Sequence, residues 1–310
     1  MRPERLTPSG AHPNNRPSAQ PRPGAHDGWA AKAPARTARD RARRELSQNF
    51  LRDAETVHRV VRAAALGPDD LVLEVGAGEG PLTVRLAAVC RAVEAYELDP
   101  RLADRLRARR AAGGPWRRVR VVHGDFRAAV PPAEPFAVVG NIPYAITSDV
   151  VDWCLRAPGL TAATLVTQWE YARKRTGDYG RWSLLTVRTW PEFHWRLLGR
   201  IDRRRFRPVP RVDSGLLRLE RRPVPLLPAP DAARYRALVE YGFTGVGGSL
   251  FASLCRRYPT DRVAAALAAC GVERGAVVGH VHPDQWVALF RRLEPPAESR
   301  RRPRRAAPRW

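Results

Sequence analysis

Asn141-Ile-Pro-Tyr144 puts several chemically useful groups into four residues. An exocyclic amine on adenine is a poor nucleophile, because its lone pair is delocalised into the ring. The side-chain oxygen of Asn141 and the main-chain carbonyl of Ile142 can accept both of its N–H bonds. They then stabilise the positive charge that develops as the nitrogen attacks. Such a site works by electrostatic positioning and needs no strong base. Pro143 stiffens the backbone so that the carbonyl keeps its direction. Tyr144 offers a ring face for an unstacked base, as enzymes that act on a flipped base require. Taken alone, it reads also as a core aromatic beside a turn.

Leu71-Val-Leu-Glu-Val-Gly-Ala-Gly-Glu-Gly80 runs an apolar strand into a glycine turn and then a helix. Such a turn brings backbone close to a ligand and aims helix N–H groups at it. The glycines are Gly76, Gly78 and Gly80, and Pro81 occupies the place of the third glycine of a dinucleotide fingerprint. Glu74 flanks the turn and suits a cation better than a pyrophosphate. A sulfonium with an amino-acid end, S-adenosylmethionine, is the cofactor that fits. Glu97 ends the next strand about 20 residues on, where a ribose diol is gripped. Leu98 is then placed to pack on the cofactor's adenine, and Asp125, beside Phe126, to accept from its amino group. Gly76, Glu97, Asp125 and Asn141 fall at the carboxyl ends of four consecutive strands, where ligands of doubly wound sheets bind.

The elements that must position these groups are legible as alternation. Strands are predicted at Leu71–Val75, Val93–Glu97, Val119–His123, Phe136–Val139, Thr161–Thr167, His194–Ile201 and Gly215–Glu220. Helical stretches at Thr56–Ala65, Pro81–Val89, Arg101–Arg110 and Thr147–Arg156 separate the first five. This pattern predicts an α/β fold, a seven-stranded mostly parallel sheet covered on both faces. The segment Arg203–Arg211 leaves little room for a crossover helix, so one of the last two strands is predicted antiparallel. Residues 223–230 read as a stiff proline-rich linker. Helices predicted at Asp231–Tyr241, Ser249–Arg256, Asp261–Cys270 and Asp284–Leu293 make a small all-helical domain. The predicted organisation is a basic arm over 1–44, a catalytic domain over 45–222, the linker, a helical RNA-binding domain over 231–294 and a basic tail over 295–310.

Charge sets the class of partner. The 310 residues carry 54 Lys and Arg against 31 Asp and Glu, a net charge of +23, and only Lys32 and Lys174 are lysines. A field of that sign favours a polyanion. Residues 1–44 hold seven prolines and ten basic residues against three acidic ones and read as a disordered arm. No apolar run reaches the ~18 residues of a membrane span, and no secretory signal is evident. Cys90, Cys154, Cys255 and Cys270 form no C-x-x-C, and the scattered histidines join no metal set, so neither a metal nor a disulfide framework is expected. A cytoplasmic location and a monomer are the simplest readings.

Ser47-Gln-Asn-Phe-Leu51, the Gly76–Gly80 turn, Glu97-Leu-Asp99, Gly124-Asp125 and Asn141-Ile-Pro-Tyr144 together resemble the ribosomal RNA adenine N6-methyltransferases. Asp178-Tyr-Gly-Arg-Trp-Ser183 and Phe206-Arg-Pro-Val-Pro-Arg-Val-Asp-Ser214 extend the likeness, which runs from about Glu45 through the last helices. Asn-Ile-Pro-Tyr and Trp182 favour the Erm macrolide-resistance branch over the small-subunit dimethylases, and the Arg-rich flanks resemble actinobacterial members. The resemblance implies a Rossmann-like methyltransferase domain with 23S rRNA as partner. It implies that Gln48, Asn49 and the Leu51 backbone close over the methionine end of the cofactor. It also implies that Phe206 is a second aromatic wall for the target adenine. The product would be mono- or dimethylated adenine in the peptidyl-transferase region, which blocks macrolide, lincosamide and streptogramin B binding.

Arg173, Lys174, Arg175 and Arg181 interleave with Tyr171, Tyr179 and Trp182, a mixture suited to phosphate contact and base stacking. Arg203, Arg204 and Arg205, and Arg43 and Arg44 in the arm, are further candidates for the RNA backbone. Three rival functions remain at this level. They are the same reaction on 16S rRNA during ribosome assembly, a non-catalytic RNA-binding assembly or transcription factor, and DNA adenine methylation, from whose usual Asp/Asn-Pro-Pro-Tyr/Phe pattern Ile142 departs.

Overall fold

A computed structural model describes residues 49–295 apart from Ala112. The predicted basic arm and tail, and with them Arg43, Arg44 and Gln48, lie outside the described residues.

The central strand β2 (Leu71–Val75) is buried along its whole length, as a strand flanked on both sides and covered on both faces must be. It pairs in parallel with β3 (Ala92–Glu97) and β5 (Phe136–Asn141). β4 (Val119–His123) lies outside β3, and β6 (Leu160–Gln168) outside β5. The sheet continues to β9 (Ser214–Arg221) and then β7 (Phe193–Ile201), giving the order β4-β3-β2-β5-β6-β9-β7. β9 is antiparallel to both neighbours, which makes it the one reversed strand that the short connection called for. The strand order reverses between β2 and β5, and the crevice at their carboxyl ends is the switch point of the sheet.

Helices follow from capping and periodicity. In α1 (Ala54–Ala64) the Asp53 side chain accepts from the Thr56 N–H at 2.9 Å, and Val57, Val60 and Ala64 form the buried stripe. Pro81 opens α2 (Pro81–Val89), where its missing N–H costs nothing, and Gly80 precedes it at φ +82°. A β-carbon on Gly80 would meet Leu106 of α3 (Pro100–Ala111) at 2.8 Å. These three helices cover one face with Val72; α4 (Thr147–Arg156) lies against the other, with Leu71, Leu73 and Val75. Glu74, by the period of two, points with Val72 into the first layer.

Two features are absent from the sequence reading. Phe50–Leu51 forms a short strand, β1, paired antiparallel with β8 (Phe206–Arg207) as a separate two-stranded ladder. The stretch around Arg173–Arg175, given no element from sequence, folds as α5 (Trp169–Thr176), with α6 (Leu184–Thr189) after it. Beyond β9 come α7 (Ala229–Gly242), α8 (Leu250–Cys255), α9 (Thr260–Ala269) and α10 (Pro283–Leu293). Trp286 is fully buried among them and stacks on Phe243. They dock on α6 through Tyr235, whose hydroxyl donates to the Val187 carbonyl at 2.9 Å, and through Trp190, whose Nε1 donates to Asp284 at 2.7 Å.

Candidate active site

The carboxyl ends of β2, β3 and β5 and the turn after β4 open onto a cleft, the place where ligands of doubly wound sheets bind. It brings together Asn49, Gly76, Gly78, Glu97, Leu98 and Asp125, with Phe126, Asn141, Ile142 and Tyr144. Most of the residues singled out from sequence for the cofactor and the chemistry thus share one wall-to-wall space.

The glycine turn is built by backbone. The N–H groups of Gly76 and Ala77 both donate to the Tyr96 carbonyl at 3.0 Å. The Gly78 N–H donates to Glu97 Oε2 at 2.7 Å, and Asp99 N–H donates to Oε1 at 2.8 Å. Glu97 therefore ties the turn to the end of β3 while one lone pair on each oxygen stays open. Burial raises its pKa, an effect the backbone N–H groups of Asp99, Gly78 and Leu98 oppose. Gly78 sits at φ +60°, and a β-carbon there would meet the Phe50 ring at 3.0 Å. Phe50 lines the cleft beside Asn49, so the β1 strap lies directly over the turn.

Behind the turn is Glu74, 1 % exposed, whose Oε2 has no hydrogen-bond partner among the described residues. Burial pushes its pKa up to about 8, and the Glu97 carboxylate pushes the same way. At the far end of the cleft, Asp125 is gripped by Arg127, whose Nη2 lies 2.6 Å away and whose Nη1 reaches Asp149 at 3.1 Å. The Arg127 hydrogen bonds hold the Asp125 carboxyl below its usual range, so it is an ionised acceptor.

Asn141 ends β5, and its Nδ2 donates to the Asn49 carbonyl at 2.7 Å. That bond sets which way the carboxamide faces and leaves Oδ1 without a donor among the described residues. Ile142 N–H donates to the Val166 carbonyl at 3.2 Å, which anchors the residue whose own carbonyl the sequence reading offers as second acceptor. The Tyr144 hydroxyl and buried Ser214 Oγ are 2.8 Å apart, so the ring is held at its tip. Burial raises the phenol's pKa and keeps it neutral.

Two residues lie elsewhere than the resemblance implied. Phe206, 1 % exposed, pairs with Leu51 across the β1–β8 ladder and packs with Val57, Val60 and Leu216. It is a core residue beneath the strap and not a wall of the cleft; Leu51 is buried with it.

The RNA candidates are largely engaged. Arg173 lies 3.7 Å from the Tyr179 ring centre and pairs with Asp178. Arg175 donates to Ser183 Oγ at 3.1 Å and lies over Tyr171. Trp182 is packed against Trp190 and His282, so it does not stand free for a base. Arg181 reaches His280 at 3.1 Å, Arg204 pairs with Asp202 at 2.7 Å and Arg205 with Asp53 at 2.8 Å. Arg203 donates to the Arg211 carbonyl at 3.0 Å, and Lys174 is exposed. Sequence reasoning missed Phe50, Ser214 and Arg127. Phe50 and Ser214 had a signal, since they stand inside the Ser47–Leu51 and Phe206–Ser214 motifs, but the pairing of Ser214 with Tyr144, 70 positions away, had none.

Residues 39–294 match the family model described as ribosomal RNA adenine dimethylase. The chain belongs to that family. Adenine dimethylase family members are enzymes, and so is this chain. An rRNA adenine N-6-methyltransferase of Streptomyces fradiae is 58 % identical over 256 residues, covering 82 % of this chain and 80 % of its own. The crystal structure of the 23S rRNA methyltransferase ErmE superposes with a TM-score of 0.76 at 56 % identity, covering 79 % of this chain and 99 % of that one. A ribosomal RNA small subunit methyltransferase A of Nocardia farcinica is 40 % identical over 208 residues, covering 63 % of this chain and 70 % of its own.

Proposed function

We propose that this dimethylase-family enzyme transfers a methyl group from S-adenosylmethionine to N6 of one adenine in the peptidyl-transferase region of 23S rRNA, once or twice. The modified base would then resist macrolide, lincosamide and streptogramin B drugs by bulk and by loss of an N–H donor. The observation that carries this reading is the carboxamide of Asn141, oriented by its bond to the Asn49 carbonyl and lining one cleft with Ile142 and Tyr144.

The cleft suits the cofactor. Its glycine turn leaves no side chain between backbone and ligand, and the open lone pairs of Glu97 match a ribose diol. Leu98 is half exposed in the cleft, an apolar seat for a purine, and ionised Asp125 accepts from the purine's amino group once Arg127 shares it. S-adenosylmethionine supplies the electrophilic methyl group. Asn141 Oδ1 and the Ile142 carbonyl hold the two N6 protons of the target and draw lone-pair density out of the ring as the amine attacks. Tyr144, held by Ser214, stacks on the extruded base and excludes water. Gln48, Asn49 and Leu51 would close the methionine end.

The relatives at 56–58 % identity favour the large subunit over the small-subunit enzymes at 40 %. Exposed Lys174 and the arginines of 173–181 and 203–205, with Arg43 and Arg44, would meet RNA backbone. Incubation with labelled cofactor and protein-free RNA tests the choice: label should enter 23S and not 16S RNA. Label in 16S alone would establish the assembly enzyme instead.

A further inference from the structure

A second hollow lies between the start of α5 and the loop from β7 to β9. Its lining mixes Trp169, whose ring centre lies 6.0 Å from the Arg200 guanidinium and 5.6 Å from that of Arg173, with Arg203, Arg211, Val209 and Val212. The two valines are 45 % and 43 % exposed. The arginines are not all neutralised from within. Asp213 pairs with Arg200, and Asp202 with Arg204. Arg203 meets only a carbonyl through its guanidinium, and that of Arg211 meets no described residue. Two cationic forks are thereby left for an external anion. Glu170, also in the lining, has no basic partner among the described residues and can accept from an amino group.

Connectivity fixes how far this hollow is from the chemistry. The Trp169 N–H donates to the Asp213 carbonyl at 3.0 Å. The next residue, Ser214, is the one that holds the Tyr144 hydroxyl. The Trp169 main chain and the Tyr144 ring are thus tethered to adjacent residues, whose Cα atoms are about 3.8 Å apart.

The geometry points to a subsite for the nucleotide next to the target adenine: its base lies on Trp169 between Val209 and Val212, and its phosphate bridges Arg203 and Arg211. Glu170 favours a base with an exocyclic amine over uracil. The inference rests on the adenine-methylation reading and adds to it that the enzyme unstacks two neighbouring bases. Single-stranded recognition of this kind combines a ring face with a cationic backbone track.

The test uses the full-length enzyme and a short RNA hairpin carrying the target adenine, with each flanking nucleotide replaced in turn by an abasic residue. For the wild-type enzyme, one of the two abasic hairpins should raise KM for RNA about tenfold, the scale of a base–aromatic stack. Trp169→Leu should raise KM on the intact hairpin by a similar factor and show no further loss on that abasic hairpin, while Trp169→Phe keeps most of the wild-type KM. Cofactor affinity, measured by calorimetry, should be unchanged in both variants. Arg211→Ala should lower the slope of log affinity against log salt by about one. Indifference to both abasic positions, or losses that multiply to about a hundredfold, would overturn the subsite. Failure of the wild-type enzyme to methylate any hairpin would overturn the methylation reading and the subsite with it.

Discussion

Asn141 Nδ2 donates to the main-chain carbonyl of Asn49 at 2.7 Å across 92 positions of sequence. A carboxamide is symmetric enough to face either way; this bond fixes which end is the donor and leaves the oxygen as the acceptor. The strap that lies over the glycine turn and the proposed acceptor are one hydrogen-bonded unit.

Asn141→Ala removes the acceptor and the strap's anchor together. Loss of one preorganised dipole of this kind costs about 10²–10³ in kcat, and steady-state methylation of RNA should show a fall of that size. A kcat within threefold of wild type would remove Asn141 from the chemistry.

Tyr144→Phe and Ser214→Ala each delete the same hydrogen bond and leave the ring in place. Each should cost about 1 kcal/mol at most in kcat/KM for RNA, and the double variant should cost no more than either single one. Tyr144→Ala, which deletes the ring, should cost far more while cofactor affinity holds. Equal effects of Phe and Ala would show that stacking is not what Tyr144 contributes.

Gly78→Ala forces a side chain into φ +60° and against the Phe50 ring at 3.0 Å. A strained left-handed residue costs about 1–2 kcal/mol, so cofactor affinity should weaken by about five- to thirtyfold in a titration calorimeter. Unchanged affinity would separate this turn from cofactor binding.

Glu74 gives a stability profile of opposite sign to that of the ion-paired carboxylates. Its folded pKa is raised to about 8 from 4.5, so the folded chain holds a proton that the unfolded chain has released. The stabilisation is complete below pH 4.5 and is lost as pH rises through 8. Glu74→Gln mimics the protonated form, so its Tm advantage over wild type should grow from pH 5 to pH 9, on the order of a few kcal/mol in all. A constant difference across that range would show that Glu74 does not titrate there.

What could be read from the sequence was local. The strand, glycine turn and helix of 71–89 are contiguous and each part supports the next, as are Asn141–Tyr144. The sheet with its one reversed strand followed from the length of connections. The partners Asn49 and Ser214 were out of reach because antiparallel and cross-strand encounters leave no spacing to count. Phe206 misled for the same reason, since its burial depends on a two-residue ladder with β1. α5 gave no element from sequence because it buries only Ala172. Its support comes from Arg173, held between Tyr179 and Asp178.

The most direct measurement is mass spectrometry of nucleosides from 23S rRNA methylated by the purified enzyme, with the modified position mapped. Acceptors aimed at an exocyclic amine require every added methyl to sit on N6 of one adenine, and its rate of appearance to fall about 10²–10³-fold with Asn141→Ala. A methyl on a ring nitrogen or ring carbon, or undiminished N6 product from Asn141→Ala, would contradict the assignment of that carboxamide.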